Sequence, residues 1–246
     1  MINYKLIIAY DGSRYNGFQK QSKHPEKTIQ GKLENVLTKL FNEEIQIIGC
    51  GRTDAGVHSK GHVCNFHAKQ SLPIETILQH LHNYLPQDIA PLQLSIASER
   101  FHARYNVVAK QYTYTIDNGY FPNPFTLRYA YHLPEPLDIA AMQEASLYLL
   151  GEHDFKAFTS LKSKTKSTVR TIKHIDIVQT GSQITLTYEG NGFLQHMVRI
   201  LTGTLIEVGL GKRSIESIKE LLENQTRSEA GPKVPPHGLC MEKVIY

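Results

Sequence analysis

Four glycines in thirteen residues surround a single carboxylate in Gly49-Cys-Gly-Arg-Thr-Asp-Ala-Gly-Val-His-Ser-Lys-Gly61. Asp54 is the only acid between Ile45 and Ile74, and Arg52 lies two residues before it. In extended chain, residues two apart project to the same side, so Arg52 can pair with Asp54. An arginine-paired carboxylate stays ionised, which suits a nucleophile rather than a general acid. The alternative is an ion pair that only braces a tight turn. The glycines point to a backbone that bends sharply or admits a ligand closely.

Other chemistries find less support. His58, His62, Cys64 and His67 invite a zinc site, but no second cluster offers a further ligand at the usual spacing. The deaminase pattern H-x-E with P-C-x-x-C is absent. Gly211-Lys212 is followed by Arg213, so there is no phosphate-binding G-x-x-x-x-G-K-[ST] loop. Gly49-x-Gly51 has Asp54 where a dinucleotide fingerprint needs its third glycine. Neither a metal nor a nucleotide cofactor is expected.

Bases interleaved with aromatics suggest a nucleic-acid partner. Arg100-Phe-His-Ala-Arg104-Tyr105 and Lys110-Gln-Tyr112-Thr-Tyr114 contain no acid, and Tyr112 and Tyr114 share one strand face. Such faces stack bases and contact phosphates in single-stranded RNA. Ordinary half-buried packing is the competing reading. From Phe155 to Ile175 there is again no acid, while Lys156, Lys162, Lys164, Lys166, Arg170 and Lys173 add six positive charges. They account for the whole net charge of +4, leaving 21 bases against 23 acids elsewhere. This Ser/Thr/Lys-rich stretch reads either as a solvated loop or as an arm for a polyanion. Arg199 sits beside Met197 and Ile200 on a helix, solvated unless that helix borders a site.

The elements that must position these residues fall into two similar series. Asn3 to Tyr10 alternates as a strand, and Thr28 caps a helix with Ile29, Leu33, Val36, Leu37 and Leu40 on one stripe. Strands at Ile45–Ile48 and His62–Ala68, a helix after Pro73 and a strand over Leu92–Ala97 complete β-α-β-β-α-β. The second half repeats the order. It has a strand at Val107–Ile116, a helix from Asp138 through Leu150 and a hairpin of Thr171–Gln179 with Gln183–Tyr188. A long helix from Phe193 to Val208, a short one after Ser214 and a strand from Leu239 follow. The expected fold is α/β (α+β), two tandem ferredoxin-like domains over 1–104 and 105–246, with the site in the cleft between them.

The composition is that of a globular protein, at 41% hydrophobic and 20% charged residues. No apolar run reaches the length of a membrane span, and the opening MINYKLIIAYDG lacks a signal-peptide core. Three widely separated cysteines fit a reducing cytoplasm better than a disulfide framework.

Taken in order along the chain, these segments resemble the tRNA pseudouridine synthase A family almost end to end. The matching stretches are Tyr10-Asp-Gly with Tyr15-x-Gly-Phe-Gln19, Gly51-Arg-Thr-Asp-Ala-Gly-Val-His58, Phe101-His-Ala-Arg104 and the Tyr-x-Tyr at 112–114. Gly151-Glu-His-Asp-Phe155, Gly192-Phe-Leu, Met197-Val-Arg199, Gly238-Leu and Val244-x-Tyr246 follow. The resemblance implies an isomerase that turns uridine into pseudouridine in the tRNA anticodon stem-loop, at positions 38 to 40. It implies Asp54 as nucleophile, Arg52 as its neighbour, Tyr112 packing on the target base and Arg199 as a cleft arginine. It further implies a homodimer without cofactor. Arg104, Lys110, Lys162, Lys164, Lys166 and Arg170 are expected to bind RNA. Ser59, His62 and Gln111 depart from the alanine, glutamine and arginine usual in the family. The competing class is a non-catalytic RNA-binding protein, which leaves a lone carboxylate in a basic loop unexplained.

Overall fold

The computed structural model describes residues 1–160, 167–224 and 226–246, so Lys162, Lys164 and Lys166 lie outside the described residues. The chain divides into two compact units, Met1–Val108 with Cys240–Tyr246, and Ala109–Leu239. Both are mixed α+β. Among the described residues, no helix is long and apolar enough to cross a membrane.

In the first unit, β1 (Ile2–Tyr10) is flanked by β3 (His58–Ala68) and β4 (Ile89–Ala97), antiparallel to both. The short β2 (Ile48–Gly49) pairs with β3. Tyr4, Leu6, Ile8 and Tyr10 project from one face of β1 into the core, as the alternation requires. Against them pack α1 (Ile29–Phe41) through Ile29, Leu33 and Leu37, and α2 (Ile74–Tyr84) through Ile77 and Leu81. Thr28 caps α1 by accepting from Gly31 N at 3.2 Å, and Asn42 ends it at φ 49°.

In the second unit, β5 (Ala109–Asp117) pairs with β9 (Gln183–Gly190), which forms the expected hairpin with β8 (Val169–Thr180). Two short strands were not expected: β6 (Tyr131–His132), parallel to β5, and β7 (Gly151–Asp154), on the outer side of β8. The helix α3 (Ile139–Leu147) ends before Leu149 and Leu150, because Gly151 at φ +96° turns the chain into β7. The buried α4 (Met197–Gly209) begins four residues later than the apolar pattern suggests, after His196 at φ 63°; α5 (Ser217–Asn224) follows it.

The strand from Leu239 falls, from Cys240 onward, within the first unit. As β10 (Leu239–Ile245) it runs parallel to β3, with Cys240 opposite His58 and Met241 opposite Ser59. Ser59 Oγ donates to Met241 O at 3.1 Å and Lys60 pairs with Glu242 at 2.9 Å. Apolar periodicity reports that a strand will be buried, not which strand it will join.

Candidate active site

Asp54 is half-buried on the loop between β2 and β3, which β1 and the segment after it enclose. Phe18 N donates to Thr53 O at 3.2 Å and Gly56 N to Tyr15 O at 3.3 Å. Val57 N closes a turn onto Asp54 O at 3.2 Å, with Gly56 at φ +79°. Two glycines make this approach possible. A Cβ on Gly12 would lie 2.0 Å from Val57 O, and one on Gly17 (φ +93°) 2.4 Å from Thr53 O. The glycines of Tyr10-Asp-Gly and Tyr15-x-Gly thus leave room for the carbonyls of the Asp54 loop.

Side chains fix both ends of the loop. His58 Nδ1 accepts from Gly12 N at 3.1 Å, and nearby Asp11 Oδ1 accepts from Ser13 N and Oγ. Tyr15 donates to Asp88 at 2.5 Å, and Arg14 pairs with the same carboxylate at 2.7 Å. At the loop's other end the Tyr10 hydroxyl bridges Thr53 Oγ1 at 2.9 Å and His62 Nδ1 at 3.2 Å. Burial pushes the Tyr10 phenol well above its ordinary pKa, so it remains a neutral hydroxyl.

Arg52 is exposed and makes no hydrogen bond or ion pair among the described residues; the pairing with Asp54 suggested by their spacing is not formed. His58, His62, Cys64 and His67 do not gather as ligands. Among the described residues, no group of three or more His, Cys, Asp or Glu is placed to hold a metal ion. Burial pushes the Cys64 thiol up and that of Cys240 up to about 12, so neither is an activated nucleophile.

In the second unit, Tyr112 lies on β5 opposite Tyr188, its ring edge-on to Phe193 at 5.3 Å. Arg199 is buried on α4 with its Nε donating to Val234 O at 2.7 Å. Tyr114 donates to the adjacent carbonyl, Pro235 O, at 2.8 Å. One short segment thus fixes both β5 and α4. Lys110 and Arg170 are half-buried on β5 and β8, and Arg104 is exposed in the first unit. Sequence reasoning missed Tyr10, Thr53 and Phe18 as supports of the loop. Thr53, a buried hydroxyl beside the lone acid, was the available signal.

The family model described as tRNA pseudouridine synthase matches residues 6–106 and 145–246. The chain is 47% identical to tRNA pseudouridine synthase A 1 of Clostridium tetani. It is 43% identical to tRNA pseudouridine synthase A of Clostridium kluyveri and 42% to tRNA pseudouridine synthase A 2 of Bacillus cereus. Each match spans 246 residues and 100% of both chains. Both the loop that carries Asp54 and the helix that carries Arg199 fall inside the matched segments, and the chain belongs to the tRNA pseudouridine synthase family.

Proposed function

We propose that this chain isomerises uridine to pseudouridine in the anticodon stem-loop of tRNA, at positions 38 to 40, with Asp54 as nucleophile. The setting of Asp54 carries this reading: a lone acid on a glycine-rich loop whose backbone is held at Thr53, Asp54 and Gly56. The reaction breaks the C1′–N1 bond, turns the uracil in place and joins C5 to C1′. N1 gains a proton and C5 loses one. Nothing is oxidised and no group leaves, so the chemistry requires no redox partner.

An ionised Asp54 can serve by attack on C1′, by addition to C6, or by stabilising an elimination intermediate. Tyr112 packs on the base, and the target uridine leaves its stack at a cost of a few kcal/mol. Arg52, exposed beside the loop, fills the vacated stack or holds phosphate. Arg199 contributes a buried positive charge fixed by Val234. Arg104, Lys110 and Arg170, with Lys162, Lys164 and Lys166, bind phosphates. The protein works in the cytoplasm, where its tRNA substrate is found and where three free thiols stay reduced.

Mapping pseudouridine in a tRNA transcript incubated with this protein alone tests the function. Modification confined to positions 38 to 40 is expected, and binding without modification would leave only an RNA-binding protein. Asp54→Asn should abolish product while tRNA affinity stays within about threefold; activity within about tenfold of wild type would reject the nucleophile.

The working form is a homodimer. Between β5 and β6, Tyr120, Phe121 and Phe125 are 81%, 78% and 91% exposed. Such a concentration of exposed rings supports the reading that a second copy of the chain covers this surface. Analytical ultracentrifugation should find a dimer that Phe121→Ser/Phe125→Asp dissociates. A monomeric wild type would overturn this.

A further inference from the structure

Asp54 can act only if its carboxylate is held in place, yet the loop that carries it includes Gly51 and Gly56, whose backbones are intrinsically free. Much of the restraint is concentrated on the residue before the acid, Thr53. Its carbonyl accepts from Phe18 N at 3.2 Å, and its hydroxyl lies 2.9 Å from that of Tyr10. Tyr10 in turn reaches His62 Nδ1 at 3.2 Å, so its hydroxyl bridges the loop to the middle of β3. The His62 ring is itself fixed. It stacks on Phe18 at 3.9 Å with an interplanar angle of 14°. Gly49 leaves the space for that stack, since a Cβ there would lie 2.4 Å from the Phe18 ring and 3.0 Å from His62 Nε2.

We propose that Tyr10 is a positioning residue for Asp54, acting through the Thr53 hydroxyl and seated by His62. Phe18 serves both branches, gripping the Thr53 carbonyl through its backbone and the His62 ring through its side chain. The two bonds on Thr53 lock the peptide that aims the Asp54 side chain. His62 supplies from a flat ring an acceptor or donor for the same hydroxyl. The proposal rests on the reading of Asp54 as nucleophile.

Misplacing a reacting group by about 1 Å can lower a rate by about 100-fold. Tyr10→Phe removes only the bridging oxygen, and Thr53→Val keeps the shape of Thr53 without its hydroxyl. Each should lower kcat on a tRNA transcript by about 10- to 100-fold, with KM within about twofold. The double variant should be no slower than the worse single one, because both break the same bond. Thr53→Ser, which restores the hydroxyl, should recover most of the kcat lost in Thr53→Val even if Tyr10→Phe fails to fold. Wild-type kcat in folded Tyr10→Phe or Thr53→Val would overturn the proposal, as would independent losses that multiply in the double variant. Asp54→Asn is measured alongside. If it stays active, the nucleophile reading fails; if it is inactive while the Tyr10 and Thr53 variants turn over normally, the positioning proposal alone fails.

Discussion

Tyr112 is only 7% exposed, although the chemistry assigned to it is contact with a base. It stands opposite Tyr188 in the strand register and its ring lies edge-on to Phe193, so a side chain proposed for the site also belongs to the core. Tyr112→Phe retains the ring and should bind tRNA within about twofold of wild type. Tyr112→Ala should weaken binding by about 1–3 kcal/mol, the contribution of stacking one base. It should also destabilise the second unit by about 3–5 kcal/mol, since a buried aromatic is replaced by a void. Filter binding after a thermal melt checks both effects, and wild-type affinity and turnover in both variants would remove Tyr112 from the site. The setting of Asp54, a lone acid among bases on a glycine-rich turn, was legible in the sequence. The partner suggested for it was not, because side-chain direction in extended chain says nothing about a loop with Gly56 at φ +79°. Arg52 consequently points to no acid among the described residues.

At the scale of elements, the segment from Tyr10 to Phe18 and the loop from Thr53 to His58 form one object made from two distant stretches of chain. Gly12 is its tightest point. Gly12→Ala places a methyl 2.0 Å from Val57 O, against backbone that cannot rotate away. Gly181 offers a contrast: it occupies φ +59° at a hairpin tip, and a Cβ added there would meet nothing within 4 Å. Gly181→Ala should lower stability by about 1–2 kcal/mol, the usual left-handed penalty, and leave turnover alone. Gly12→Ala should lower stability by more than that and reduce kcat as the loop shifts. Chemical denaturation with paired rate measurements decides, and equal effects from both substitutions would refute the close-approach argument. Local pattern was enough to read β1, α1, α2 and the β8–β9 hairpin, because their signals are periodic. It was not enough for β6 and β7, which are too short to show a period. The start of α4 was also hidden, since the apolar run continues through Phe193 and Leu194 while the backbone turns at His196.

Across the whole molecule, burial raises the pKa of Tyr10, Tyr114 and Tyr188 above the ordinary phenol value near 10. Below about pH 10 both folded and unfolded chains keep these protons, and the stabilising contribution is fully present. Above it the unfolded chain loses protons that the folded chain retains. Stability should then fall by about 1.4 kcal/mol per pH unit for each such tyrosine. Tyr188, bonded to Thr202 at 2.9 Å, lies outside the proposed catalytic group. In urea melts between pH 9 and 11, Tyr188→Phe should flatten that decline by about one proton's worth; an unchanged slope would show that Tyr188 ionises in the folded state. The pairing of β10 with the start of β3 has a consequence in time. On the ribosome, Asp54 and both segments that enclose it emerge early, but Cys240 and Met241, which flank His58 and Ser59, emerge only after the intervening chain. At about 5–20 residues per second that delay is roughly ten to forty seconds. A nascent chain therefore carries the acid long before it has the strand that pairs beside its loop.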